Sequence, residues 1–234
     1  MMIKTILSVQ DVYKSYGSKK ALQGVTFDIE AGQLVGLLGP NGSGKTTLIK
    51  IINTLIMDYS GKVLVCGEAL GTASKARVSY LPDKDYLRKD MKVSAALGIY
   101  RDFFTDFDNT KALEMLKLVG IEESARINTL SKGTREKLQL VLTMARTADL
   151  YVFDEPFAGV DPAARDFVLH TILRNYNENA ALLFATHLIS DVEHFLTRIL
   201  FIKEGRIVLN GNADDLRETH GKSINDLFKE AFKC

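Results

Sequence analysis

Long apolar runs are missing from this 234-residue chain. Nothing in it approaches the roughly 18–20 consecutive apolar residues that a membrane-crossing helix needs, so any membrane span must come from another polypeptide. Cysteine is also scarce. Cys66 and Cys234 lie far apart in sequence and fit no metal-ligand spacing. Cys66, at the end of Val63-Leu64-Val65-Cys66, is expected to be a small core residue, and Cys234 a free thiol; a reducing cytoplasm suits both. Excess charge of either sign is absent: 30 basic and 29 acidic residues leave +1, which calls for neither nucleic acid nor an anionic membrane surface. Met1-Met2-Ile3-Lys4-Thr5 does not begin a signal peptide. There is no internal repeat, low-complexity tract or long linker. The remaining composition, 46% hydrophobic and 25% charged, is that of an ordinary globular protein. It leaves room for one large domain, or one domain carrying an inserted subdomain.

The chain is organised around Gly39-Pro40-Asn41-Gly42-Ser43-Gly44-Lys45-Thr46-Thr47, the pattern G-x-x-x-x-G-K-[ST]. Leu34–Leu38 before it reads as a buried strand, and Leu48–Ile52 after it as a helix, which is the context a phosphate-binding loop requires. Glycines let the backbone curl so that successive N–H groups point inward, and the new helix adds the positive end of its dipole. Lys45 is expected to reach the β- and γ-phosphates and Thr46 to ligate Mg²⁺.

Ile6–Val12 and Val25–Ile29 alternate as strands, with Tyr16 just before Gly17; Lys62–Cys66 and Val78–Leu81 are further strands. From about Asp83 to Thr147 the texture becomes helical: no proline occurs, and Val93, Ala96, Leu97, Tyr100, Phe103 and Phe104 recur at helical spacing, followed by Leu113, Leu116, Lys117 and Val119. The aromatic group Tyr100, Phe103, Phe104 and Phe107 is expected to be subdomain core. Strands return at Leu150–Phe153 and Ala181–Ala185, with a helix from about Pro162 to Tyr176 between them, N-capped by Asp161. Arg198–Ile202, Glu204-Gly205 and Arg206–Leu209 make a hairpin, and 213–234 holds two short amphipathic helices.

Three further groups carry chemistry. Leu150-Tyr151-Val152-Phe153-Asp154-Glu155 is an apolar strand that delivers two carboxylates to the sheet edge where the phosphate loop also sits. There Asp154 can hold Mg²⁺ and Glu155 can orient or deprotonate a water. His187, ending a strand that can lie beside the one carrying Glu155, can hydrogen-bond a γ-phosphate oxygen or that water. Ser131, in Leu130-Ser131-Lys132-Gly133-Thr134, opens a helix and forms either a second anion site or an ordinary N-cap.

Taken together, the phosphate loop, Leu-Ser-x-Gly-x, apolar-Asp-Glu-Pro, Gly-Val-Asp-Pro and Thr-His resemble the ATP-binding subunit of an ABC transporter, over nearly the whole chain. The resemblance implies an α/β P-loop NTPase (RecA-like) core at 1–82 and 148–234, with an N-terminal antiparallel β-subdomain and an inserted α-helical signature subdomain at 83–147, forming a single domain over 1–234. It implies ATP and Mg²⁺ as ligands, with Tyr16 stacked on adenine. Ser131, Gly133 and Thr134 would bind the γ-phosphate held by a second ATPase subunit, the same chain or a related one, in a head-to-tail dimer. Ala158-Gly159-Val160-Asp161 would cross that interface, and the helical subdomain would dock on a polytopic permease. The chain would then be cytoplasmic, held at the inner face of the cell membrane through the permease. Two departures stand out: Asp83 occupies the usual glutamine position, keeping a metal contact with altered geometry, and Lys132 and Thr134 replace the usual glycine and glutamine. These features and the short tail with Ile224–Phe228 lean towards export, leaving no room for a regulatory domain. A DNA- or ribosome-directed ABC ATPase and an ATP sensor without turnover stand as alternatives. The first is disfavoured by the absence of long coiled coils and of excess charge, so no nucleic-acid partner is expected; the second is disfavoured by Glu155 and His187.

Overall fold

The computed structural model describes residues 4–157 and 162–232, apart from the side chains of 162–164 and 166. The expected loop Ala158–Asp161, the Asp161 cap, Met1–Ile3 and Cys234 lie outside the described residues. In chain order the elements are β1 (Thr5–Tyr16), β2 (Lys19–Glu30), β3 (Leu34–Leu38), α1 (Lys45–Ile52), β4 (Ser60–Val65), β5 (Glu68–Ala69), α2 (Thr72–Ala76) and β6 (Val78–Leu81). Then come α3 (Val93–Phe103), α4 (Asn109–Leu118), α5 (Lys132–Met144), β7 (Leu150–Asp154), α6 (Pro162–Asn175) and β8 (Ala181–Thr186). The hairpin β9 (Arg198–Lys203) and β10 (Arg206–Asn212) leads into α7 (Ala213–His220) and α8 (Ile224–Phe232).

Two sheets result. An antiparallel one has the order β2-β1-β4-β5, and a six-stranded one the order β10-β9-β3-β8-β7-β6. In the second, β9, β3, β8, β7 and β6 run parallel, and only β10 is antiparallel. Strands β3, β7 and β8 are buried at every position, which is why they read as unbroken apolar runs. Their period of two still decides what each residue packs against. Val35, Leu37, Leu150, Val152 and Leu183 face α1 and the antiparallel sheet. Leu38, Tyr151, Phe153, Leu182 and Phe184 face the helices, where Phe153 stacks on Phe184 at 4.9 Å. Burying each such aromatic stabilises the fold by about 1.5–3 kcal/mol.

Several expectations need correction. The first two strands extend well beyond Ile6–Val12 and Val25–Ile29, pairing as far as Tyr16 with Lys19 at the hairpin tip. Residues 83–92 are not helical; they form a loop ahead of α3. Cys66 is half-buried and lies beyond the end of β4, in the left-handed region (φ 52°) of the turn into β5. Phe103 is 78% exposed. Its helix stops there, Phe104 turns extended (φ −124°, ψ 108°), and the Phe104 ring takes the inner place, 5.4 Å from Tyr100 and 3.9 Å from the Arg146 guanidinium. Lys117 likewise lies on the outer side of α4.

Candidate functional site

Strand β3 ends at Leu38, and the loop that follows must turn sharply to start α1. Gly39 and Gly44 permit it. A Cβ on Gly39 would lie 2.4 Å from the Ile202 carbonyl oxygen, and one on Gly44 (φ 114°) 2.7 Å from that of Ala21. The loop is thus wedged between β9 and β2, and its shape is set before any ligand arrives. Asn41 and Gly42 are exposed at its tip, while Ser43 and Lys45 are buried.

Lys45 folds back on the loop, donating from Nζ to the Gly39 oxygen at 2.6 Å and to the Pro40 oxygen at 3.3 Å. Burial pushes its ammonium pKa down, against the pull of the Glu155 carboxylate, whose Oε1 lies 3.5 Å away. Thr46 Oγ1, at the first turn of α1, donates to Asp154 Oδ1 over a long 3.4 Å. Asp154 is 2% exposed, and burial, helped by the Glu155 and Asp83 carboxylates, raises its pKa to about 6. Hydroxyl and carboxylate are hard oxygen donors of the kind that suit Mg²⁺. Ser43 Oγ is buried without a hydrogen-bond partner, an orphan that a phosphate oxygen inside the loop would satisfy. Both observations fit a magnesium nucleotide.

Glu155 is where three elements meet. It follows β7 in the left-handed region (φ 50°), which is strained for a side-chain-bearing residue. Its N–H donates to the Ala185 oxygen at 2.8 Å. Its Oε2 accepts from Thr186 Oγ1 at 3.0 Å and from the His187 N–H at 3.3 Å, and lies 2.9 Å from His187 Nδ1. With Nδ1 donating to the carboxylate, a neutral His187 ring keeps Nε2 as an acceptor, suited to the O–H of a water. Strand β8 lies between β3 and β7, with Leu38 opposite Thr186 and Asp154 opposite Ala185. That order brings Lys45, Glu155 and His187 together from positions far apart in sequence.

Asp83 is exposed just past β6, on the other flank of Asp154. It shares a cleft of about 690 Å³ with Glu155 and with Ser131, Lys132, Gly133 and Thr134. Ser131 is the N-cap of α5: its Oγ accepts from the Thr134 N–H at 3.1 Å and lies 2.7 Å from Thr134 Oγ1. Residues 131–133 are exposed. Among the described residues, no hydrogen bond joins 131–134 to the phosphate loop of the same chain, and none of residues 39–47 lines that cleft. Tyr16 is 49% exposed at the tip of the β1–β2 hairpin, with Lys14 Nζ 4.8 Å from its ring centre.

Sequence reasoning singled out Lys45, Thr46, Asp154, Glu155 and His187, and the structure brings these five together. It overlooked Thr186, whose hydroxyl holds Glu155; the signal was a hydroxyl residue at the very end of the strand, one position before His187.

A family model described as ABC transporter matches residues 22–158. The chain is 29% identical over 223 residues to an uncharacterized ABC transporter ATP-binding protein of Methanocaldococcus jannaschii, covering 92% of this chain and 80% of the relative. It is 32% identical over 219 residues to a Nod factor export ATP-binding protein I of Ralstonia nicotianae, covering 90% and 68%. A solved structure titled as the ATP binding subunit of an ABC transporter superposes with a TM-score of 0.85 at 26% identity, over 96% of this chain and 98% of the other.

Proposed function

Because the chain belongs to the ABC transporter family, as an ATP-hydrolysing subunit that powers transport through a separate permease, we propose the following division of labour among its residues. Asn41 to Thr47 cradle the phosphates, with Ser43 Oγ and Lys45 turning from their present state onto the β- and γ-phosphates. Thr46 and Asp154 hold Mg²⁺, with Asp83 at its flank. Magnesium, when bound, neutralises charge on the β- and γ-phosphates. Glu155 accepts the proton of an attacking water, and His187, fixed by its Nδ1 bond to Glu155, receives that water's other O–H at Nε2.

The observation that carries this is the single Glu155 carboxylate. It is 12% exposed, held by Thr186 and His187, and 3.5 Å from the Lys45 ammonium that is to grip the γ-phosphate. A base so held needs little reorganisation when water arrives.

Subunits of this family work as dimers with a membrane permease. For this chain we assign a head-to-tail pair in which Ser131, Gly133 and Thr134 of one copy meet the γ-phosphate held by the other. The support is that the N-terminus of α5 is exposed and is not engaged by its own phosphate loop. Residues 83–147 form the helical signature subdomain within a single ATPase domain, and Tyr16 provides the adenine platform. Among the described residues no helix is long and apolar enough to cross a membrane. We assign attachment at the inner face of the cell membrane to the permease with which subunits of this family work. Export is favoured by the name of the Ralstonia relative, a Nod factor export protein.

The test is Glu155→Gln. It should bind ATP with near-normal affinity, release phosphate about 10²–10⁴-fold more slowly, and accumulate an ATP-bound dimer on a sizing column. Rapid phosphate release by this variant would remove Glu155 from the role of base.

A further inference from the structure

The loop that follows Asp83 is fastened to the helical side of the cleft. Asp85 Oδ2 accepts from Arg135 Nε at 2.8 Å, and Asp85 Oδ1 accepts from Gln139 Nε2 at 3.2 Å. Arg135 also donates from Nη1 to the Leu130 oxygen at 2.6 Å, so the same guanidinium braces the residue before Ser131. The contact lies at the surface on the Asp85 side and runs inward from there: the Asp85 and Arg135 side chains are 30% and 19% exposed, and Gln139 is 3% exposed. Farther along, the Asn128 N–H donates to the Lys89 oxygen at 2.9 Å and the Ile127 N–H to the Met91 oxygen at 3.0 Å. Residues 85–92 are therefore stitched to α5 and to the turn just before it.

Asp83 belongs to the opposite side. It follows Leu81, which pairs in parallel register with Phe153, and it lines one cavity together with Asp154. Only Lys84 separates it from the fastened Asp85. Two residues of chain span at most about 7 Å, so Asp83 stays within that reach of Asp85. Any displacement of Asp83 from α5 beyond that reach requires Asp85 to release Arg135 and Gln139.

We propose that Asp85 is a positioning residue that ties the first turn of α5, with its Ser131 anion cradle, to Asp83 at the metal-binding side of the same chain. This rests on the head-to-tail arrangement above, in which Ser131 serves the nucleotide of the other copy. The aim of Ser131 then governs pairing of two chains, whereas the grip of the phosphate loop governs nucleotide binding by one. Loss of Asp85 should separate the two. A purely structural role would change thermal stability without that separation.

The experiment places Asp85→Ala, Asp85→Glu and Gln139→Leu in the Glu155→Gln background. A fluorescent ATP analogue measures nucleotide affinity of the dilute single chain, and sedimentation measures ATP-driven dimerisation. Removing a charge-assisted bond of this kind should weaken dimerisation by roughly tenfold or more, with nucleotide affinity within about twofold. Asp85→Glu should recover most of the loss. Gln139→Leu, which leaves the first turn of α5 untouched, should act in the same sense but less. Dimerisation of Asp85→Ala equal to the background, or a loss matched by lost nucleotide affinity, overturns the proposal. Should Asp85→Ala fail to fold, undiminished dimerisation of Gln139→Leu overturns it. If the Glu155→Gln background itself does not pair with ATP, the head-to-tail arrangement fails, and this inference with it.

Discussion

Replacing Asp154 by asparagine should make the ligand-free protein more stable, because the site is organised for a cation at the expense of the empty fold. Asp154 is buried beside two other carboxylates, and its pKa stands at about 6 rather than 3.8. A raised acid pKa means that the folded chain holds a proton the unfolded chain has released. Stability therefore falls as pH rises from about 3.8 to about 6 and stays low above that. A shift of about 2 units corresponds to roughly 3 kcal/mol at pH 7.5. By the same relation the difference shrinks to about 1 kcal/mol at pH 4.5. Asparagine is isosteric and uncharged, and its Oδ1 still accepts from Thr46. For a chain of this length each kcal/mol shifts the melting temperature by about 2–4 °C, so Asp154→Asn should melt roughly 6–12 °C higher at pH 7.5 without magnesium. The assay is differential scanning fluorimetry of both proteins across pH 4.5–8, with and without Mg²⁺–ATP. The advantage should narrow in acid, and added Mg²⁺–ATP should stabilise the wild type more than the variant. A variant no more stable than wild type at pH 7.5, or one whose advantage does not change with pH, would refute the electrostatic account of this position.

Other substitutions probe the remaining parts. Gly39→Ala puts a methyl 2.4 Å from the Ile202 oxygen; it should cost at least about 2 kcal/mol and abolish ATP binding, read by chemical denaturation and a fluorescent nucleotide. Thr186→Val removes a hydroxyl that holds Glu155 at 3.0 Å; kcat should fall about 10-fold or more with KM little changed in steady-state phosphate release, and an equal rise in KM would argue against a positioning effect. Arg146 is 2% exposed, donates from Nε and Nη2 to Asp106 at 3.0 Å, and bonds the Val78 and Ala76 oxygens. Arg146→Leu removes all four of these donated bonds, two of them to the Asp106 carboxylate, and should destabilise by about 3–5 kcal/mol in denaturant titration.

The parts most legible from sequence were those where one local rule suffices. The phosphate loop declares itself because only glycine fits at positions 39 and 44. Strands β7 and β8 do so because burial on both faces leaves only apolar residues ahead of Asp154 and Thr186 at their ends. Two apolar runs suffice to suggest that the strand ends carrying Glu155 and His187 are neighbours, but not that the His187 ring bonds the Glu155 carboxylate. What remained hidden depends on where neighbours stop. Phe103 and Phe104 satisfy the same helical stripe, and only the helix end after Phe103 decides which ring turns inward. Cys66 continues an apolar run by type, yet the turn into β5 takes it out of the strand. The strain at Glu155 and the bond from Asp85 to Arg135 leave no local trace, since each is set by an element tens of residues away.

Strand β8 also acts as a spacer. Adjacent strands lie about 4.8 Å apart, so placing one strand between β3 and β7 sets the gripping lysine's loop and the proton-accepting acid's strand roughly 10 Å from axis to axis. That gauge is built from backbone hydrogen bonds, not from side chains. It will hold its width whatever cargo the partnered permease carries, and it leaves adaptation to the surfaces of the helices outside it.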